Sequence, residues 1–484
     1  MPEAKNSPDF TNAAYSRMCG AWSVLTDVLA GQDTIKAKGE TYLPKEFAEL
    51  KEDYDNRLAR SLFFEDYRDC VVNLTGMVFR KSPTLGEDVS DQIKSLTENI
   101  DNAGTHLDVF LQRLFEDGFY GHSFIVVDMP AASKPAETAE DELGLRSYWT
   151  LKQAKDALNW RTAVIDGSTI LSQITFRECV TLPDGDFGEK EVTRYRVYRL
   201  NEFGNAEWQL WEETDKADVS GKKESILIEA GEIKTKQGKP LRRLPITVHY
   251  GEHEGFLESR PPLKGIADIN VGYYQRYSDL SNIEHHTCAI TLVIESDPNE
   301  NADKTLGGNR VLYVGTGQKA YFLEVNGQSI PFLREDLRDL EKRLVAKGLD
   351  FVQKENQVPP TATEVLLSYT TRTSKLAKMV RSAIDCTEAA LAITAEMEGL
   401  EQGGSITLGV DENSLTLTPD EVRALSEMNE RGQISLRTLW AILERADRLP
   451  EDFDPEKEEA AVKQAALDQM ELNAKQFDAG IEST

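Results

Sequence analysis

The residues of this chain best suited to chemistry are His249 and His253, which bracket Tyr250-Gly251 and have Glu252 and Glu254 beside them. Imidazole and carboxylate at that spacing are the donors of a divalent-cation site, the kind a metal-dependent hydrolase uses, although no third ligand stands out. His285 and His286 form the second candidate. Adjacent residues on a helix point about 100° apart, so this pair reads as a polar helix end and not as two ligands of one ion.

Other reactive patterns are missing. No GxxxxGK[ST] phosphate loop occurs, and the nearest glycine pair, LGGNR at 306–310, lacks both the spacing and the lysine. GxSxG and HExxH are absent too. The five cysteines (Cys19, Cys70, Cys179, Cys288 and Cys386) are far apart and form no CxxC or CxxH pair, so they read as thiols of a reducing compartment. No cofactor, no metal and no enzymatic activity are expected.

Charge says more. The chain carries 83 Asp and Glu against 55 Lys and Arg, a formal net charge of −28. Such an excess keeps a protein soluble, and it also makes a surface that does not adhere to a polyanion. Over residues 332–382 the balance reverses, with ten basic side chains against seven acidic ones. This stretch reads either as a solvated helix face with local pairs, such as Arg334 and Arg338 near Asp339, or as a modest basic band that holds a phosphate backbone without sequence preference. In its middle lies QVPPTATEVLLSY, Gln357 to Tyr369, where two prolines and two threonines interrupt the helical pattern.

The elements that must position these residues follow from periodicity. At 484 residues the chain suits two or three domains. Helical spacing runs through Phe47, Leu50, Tyr54, Leu58, Leu62, Tyr67 and Val71, and again through Ile93, Leu96, Ile100, Leu107, Phe110, Leu111 and Leu114. A buried strand is expected at 123–128, and antiparallel hairpins from about 146 to 250, LPITVHY included. Ile266, Ile269, Tyr273, Tyr277, Leu280 and Ile283 then mark a long helix, and a small β patch (CAITLVIES, RVLYVG, KAYFLEV) separates it from a second one with Leu333, Leu337, Leu340, Leu344 and Phe351 aligned. A third long helix, TSKLAKMVRSAIDCTEAALAITAEMEG, a strand at SITLGV and a helical C-terminus with a Thr418–Pro419–Glu421 capping box and a Ser435 cap complete an α+β chain. MPEAKNSPDF has no apolar core of a signal sequence and no run reaches about 18 apolar residues, so synthesis in the cytoplasm and no helical membrane span are expected.

This order of elements resembles the portal proteins of tailed bacteriophages. LTGMVFRKSP, FEDGFYGHSFIVVD, ALNWRTAVIDG, PPTATEVLLSYTTRTSKLAKMV and GQISLRTLWAILERADRLPEDFDPEKE are similar to phrases in a branch of that family, and the resemblance spans nearly the whole chain. It implies a portal-type fold. A wing covers 1–263, helical first and β-rich from about 120. A stem helix follows at 264–288, a clip at 289–330 and a second stem helix at 331–353. Residues 354–369 are then a tunnel loop, 370–417 a long helix with a wing strand, and 418–484 a helical crown.

The resemblance further implies a cyclic homo-oligomer of about twelve subunits at one capsid vertex of a virion, assembled in the host cytoplasm. Its partners would be double-stranded DNA bound without sequence preference, the terminase, a head–tail adaptor, and the major capsid and scaffolding proteins. Lys347, Lys354, Gln357, Pro359, Pro360, Thr361, Thr363 and Lys375 would line the DNA channel. Asn309, Arg310, Tyr313, Lys319 and Tyr321 would form the docking surface of the clip. Prolines restrict the loop backbone and threonines offer only weak phosphate contacts, which suits a duplex that must slide. Two other readings stay open: a metal-dependent hydrolase that uses a carboxylate pair or the His249–His253 region, and a different virion component such as a head–tail adaptor or minor capsid protein.

Overall fold

A computed structural model describes residues 7–130, 146–165, 167–217, 223–288, 291–294, 320–323, 330–352, 375–408 and 419–445, together with 449, 453–458, 460 and 464. Helix α1 (Ala13–Ala30) begins at Asn12, whose side-chain oxygen accepts the Tyr15 N–H, and stops at Gly31, where φ is 85° and any side chain would be strained. The short α2 (Gln32–Ala37), then α3 (Lys51–Arg60) and α4 (Asp66–Val78), follow. The first apolar series therefore does not form one face. Tyr54, Tyr67 and Val71 are buried, whereas Phe47 and Leu50, which precede α3, and Leu62, in the helix-free stretch 61–65, face solvent.

The second series fares differently. It divides between α5 (Asp91–Leu96) and α6 (Leu107–Asp117), yet all seven of its residues are buried, since each piece lays its own face on the same core. Strand β1 (Thr84–Leu85) lies between α4 and α5.

Strand β2 (His122–Asp128) is buried along its length except at its last residue and is the centre of a three-stranded antiparallel sheet, flanked by β3 (Tyr148–Gln153) and β9 (Ile246–Tyr250). LPITVHY is thus no hairpin partner of its chain neighbours; it crosses over to pair with β2, Thr247 opposite Ile125. Between β3 and β9 the chain forms a five-stranded antiparallel meander: β4 (Ala157–Ile165), β5 (Ser168–Asp184), β6 (Gly188–Leu200), β7 (Ala206–Ala217) and β8 (Lys223–Glu232). Strands β10 (His253–Gly255) and β11 (Glu258–Ser259) close a small hairpin.

Three long helices come next. Helix α7 spans Lys264–Cys288 and α8 spans Ile330–Val352, with β12 (Thr291–Ile294) and β13 (Ala320–Leu323) between them in sequence; α9 spans Lys375–Glu398. Helix α9 is the most deeply buried of the three. Met379, Val380, Ala383, Cys386, Ala390 and Leu391 enter the main core alongside Trp22, Tyr67, Phe115 and Phe124.

A buried carboxylate holds its end. Glu398 Oε1 accepts the Ser147 N–H (2.7 Å) and Oγ–H (2.9 Å), Oε2 accepts Gln92 Nε2 (3.3 Å), and Lys236 Nζ stands 3.6 Å away. Of the strand expected at SITLGV, Ile406–Thr407 form β14 and pair with β1, while Gly409 and Val410 lie outside the described residues. Helices α10 (Pro419–Glu430) and α11 (Leu436–Arg445) share a separate small core of Leu425, Met428, Leu439 and Ile442. Pro419 opens α10 and Ser435 Oγ accepts the Thr438 N–H at 3.1 Å, as expected, while Thr418 lies outside the described residues.

Candidate functional site

The histidine site is not assembled. His249 is wholly buried on β9, stacked on Phe115 with ring centroids 5.7 Å apart, whereas His253 on β10 is exposed and set edge-on to Tyr250. The break at 251–252 between β9 and β10 leaves one ring in the core and the other in solvent, although residues four apart on one unbroken strand would share a face. Among the described residues no group of three or more His, Cys, Asp or Glu side chains is placed to hold a metal ion.

On β2 Ser123 stands directly opposite His249, and His122, one residue earlier, points to the other face of the sheet. His122 Nδ1 and Ser259 Oγ are hydrogen-bonded at 2.6 Å, but His122 Nε2 and both nitrogens of His249 have no partner among the described residues. Burial drives the pKa of each histidine down to about 3, and their mutual repulsion adds to this at His122. Both rings are neutral core groups. His285 is exposed at the end of α7, and the side chain of His286 lies outside the described residues.

The arrangement that sets the helical half apart is the antiparallel α7–α8 pair, with α7 seated on the body and α8 mostly exposed. One face of α7 carries polar residues, Asn270, Ser278 and Asn282, that bond it to the N-terminal region. Asn270 Nδ2 donates to the Phe64 carbonyl (2.8 Å) and its Oδ1 accepts the Tyr67 N–H (3.2 Å). Ser278 Oγ receives Ser61 Oγ–H (2.7 Å), and Asn282 Oδ1 accepts Arg60 Nη2 (3.0 Å). Nearby, Gln275 donates to the Tyr42 carbonyl at 2.8 Å. Arg57, buried under this face, makes a two-pronged pair with Glu49 (2.7 and 2.8 Å) and donates to the Pro44 carbonyl (2.9 Å). Burial is tolerated because the guanidinium is paired and its donors are used.

The next face of α7 meets α8. Tyr273 Oη donates to Glu341 (2.9 Å), Arg276 pairs with Asp336, and Arg334 pairs with Glu284 (2.7 Å). Partner numbers fall along α8 as they rise along α7, so the helices are antiparallel. Tyr273 and Tyr277 stack at 6.3 Å with Phe64 edge-on to both. At the far end of the two helices β12 pairs antiparallel with β13, Thr291 opposite Leu323 and Ile294 opposite Ala320. Of the apolar series expected to define α7, Ile266 and Leu280 are buried and Ile269, Tyr273, Tyr277 and Ile283 are half-buried; the polar Asn270 and Ser278 are also buried, which hydropathy does not weigh.

The basic band is altered accordingly. Arg334 pairs across to Glu284 and not within its own helix, and Lys342 pairs with Asp339 at 3.2 Å. Lys347 is exposed and lies over the start of α7, its Nζ beside Gly265. Lys375, also exposed, is the first residue of α9. Lys354, Gln357, Pro359, Pro360, Thr361 and Thr363 lie outside the described residues, as do Asn309, Arg310, Tyr313 and Lys319. Tyr321 is on β13, opposite Val293.

A family model described as "Domain of unknown function (DUF4055)" matches residues 262–397, from just before α7 to the last turn of α9. No curated protein matches the sequence. Among solved structures, a chain of the "Virion of native gene transfer agent (GTA) particle" is similar over 79% of this chain and 86% of its own, at 12% identity and a TM-score of 0.35. At that score the likeness decides neither fold nor role.

Proposed function

We propose that this chain is the portal-type subunit of a phage-like virion, a non-enzymatic structural protein that closes into a ring and conducts double-stranded DNA. The observation that carries this reading is the arm: two antiparallel helices tied by cross-helix pairs, a two-stranded sheet at the tip, and a third helix that returns the chain to the core. An isolated two-stranded sheet and a helix exposed on most of its circumference are marginal by themselves. Side-by-side packing of many arms around an axis supplies the missing contacts.

In this reading α7 and α8 are the stem, the segment joining them is the clip that docks terminase and adaptor, and the segment joining α8 to α9 is the tunnel loop. The −28 charge keeps phosphates from adhering to the ring, and Lys347, Lys354 and Lys375, repeated by rotation, centre the duplex. The hydrolase reading loses its basis, since His249 faces the core and His253 faces solvent.

Electron microscopy of the purified chain, alone and co-expressed with capsid and scaffolding proteins, tests the proposal. End-on views with rotational symmetry of about twelve and an open channel wide enough for duplex DNA are expected. Compact particles of one or two subunits under both conditions would overturn it.

A further inference from the structure

The hairpin of β5 and β6 reaches beyond the strands beside it. Among the described residues β4 pairs with β5 only as far as Phe176, and β7 pairs with β6 only from Arg194 onward, so residues 177–193 form a two-stranded ribbon. From Phe176 to Asp184 it extends about 25 Å, at about 3.3 Å per residue. Val180 lies opposite Val192 along the ribbon, but its tip is polar and exposed. There Asp184, Asp186, Glu189 and Glu191 surround Phe187, which is 101% exposed, and Lys190 is the one base. A ribbon of two strands is marginal by itself.

The other end of the meander carries the opposite charge. Residues 233–243, IKTKQGKPLRR, leave β8 for β9 and hold Lys234, Lys236, Lys239, Arg242 and Arg243 with no acidic residue among them. The loop is held in place: the Thr235 N–H donates to the Lys239 carbonyl (2.8 Å), and the Lys236 N–H to the Met397 carbonyl of α9 (2.8 Å). Three of its cations are paired outside the loop, Lys234 with Glu232 (3.2 Å), Lys236 with Glu398 (3.6 Å) and Arg243 with Glu396 (2.7 Å). Lys239 and Arg242 are exposed, and their side chains have no partner among the described residues. The Ala206 N–H donates to the Leu241 carbonyl (2.7 Å), which puts the β6–β7 turn, with Glu202 and the 85% exposed Phe203, at the same end.

Within one copy the two ends cannot meet. Strand β6 alone separates them, running about 40 Å from Gly188 at the tip to Leu200, opposite Ala206. We infer that the acidic tip of one copy docks on the basic loop of the next, its carboxylates facing Lys239 and Arg242 and Phe187 meeting Phe203, so that the meanders join head to tail. A phosphate backbone would serve the loop but leave the acidic tip and both phenyl rings without a partner, whereas a second copy serves all of them. The inference rests on the ring reading and specifies one heterologous contact of it. Exposed ion pairs are individually weak and screened by salt, so the charges set orientation while the two rings supply apolar area.

Charge swapping tests it. The tip variant combines Asp184→Lys and Asp186→Lys, the loop variant combines Lys239→Glu and Arg242→Glu, and a third chain carries all four changes. The four side chains are exposed, so thermal midpoints are expected to match the parent. Sedimentation and electron microscopy at low salt are expected to show several-fold fewer rings in the tip and loop variants, and recovery in the chain with all four changes. Phe187→Ser is expected to lower the ring population at high salt as well, because an apolar contact is not screened. Rings at parental abundance in both two-residue variants would overturn the docking and leave the ring standing. Loss in the loop variant without recovery in the chain with all four changes would overturn it too, and DNA retention lowered alongside would assign the loop to a phosphate backbone. A parent that forms no ring under any condition would overturn both readings.

Discussion

At the scale of single residues the most consequential pair is His122 and His249. Each is neutral in the folded protein down to about pH 3, whereas an exposed histidine of the unfolded chain takes up a proton below about 6.5. Between those values the unfolded state binds more protons, so stability falls as pH falls, by about 1.4 kcal/mol per pH unit for each histidine, and is unaffected above about pH 7. His249→Leu removes two unpartnered nitrogens at nearly constant volume. Urea unfolding of this variant is expected to match or exceed the parent at pH 7, by about 0–2 kcal/mol. Between pH 6.5 and 4.5 it is expected to lose roughly half of the parent's histidine-dependent decline. An unchanged pH slope would remove His249 from that role. Asp117 acts with the opposite sign: burial lifts its carboxyl to about 7 against a hydrogen bond from Gln153, so it costs stability as pH rises towards 7.

At the scale of elements, α7 is seated by side-chain hydrogen bonds as well as by the buried Ile266, Ala267, Tyr274 and Leu280. Asn270 alone serves a buried carbonyl and a buried N–H. Asn270→Leu, close in size, leaves both unpaired and is expected to cost about 2–4 kcal/mol, read as a lower urea midpoint together with earlier proteolytic cleavage in 264–288. Asn270→Ser, which retains one donor and acceptor, should recover part of the loss. The exposed pairs Arg276–Asp336 and Arg334–Glu284 contribute at most about 1 kcal/mol each and are screened by salt, so they align the arm more than they stabilise it.

At the scale of the whole molecule the proposed portal role must reconcile an acidic chain with DNA. In the proposed ring a single exposed lysine would be repeated by rotation into a ring of positive charge, while the remaining surface would repel phosphate. Lys347→Glu combined with Lys375→Glu touches two exposed side chains outside the core and is expected to leave assembly intact in electron micrographs. DNA retained per particle is expected to fall several-fold, with a shallower dependence on salt. Retention equal to the parent would place these lysines away from the channel.

Much of this architecture is legible in the amino-acid sequence because it follows from local rules. Hairpin turns and β-rich runs mark the meander, proline and serine mark the starts of α10 and α11, and long apolar periodicity marks α7, α8 and α9. The absence of nucleotide-binding and hydrolase motifs is equally a property of the sequence. What the tertiary structure alone decides depends on partners distant in the chain. Whether His249 is a ligand or a core group rests on which strand β9 joins, and β9 skips about a hundred residues to reach β2. Why α7 buries Asn270 and Ser278 rests on carbonyls and hydroxyls some two hundred residues earlier. Periodicity reports how apolar a face is; it cannot report that a polar face has found its complement, because hydrogen bonds are satisfied by geometry between segments that the sequence does not place side by side.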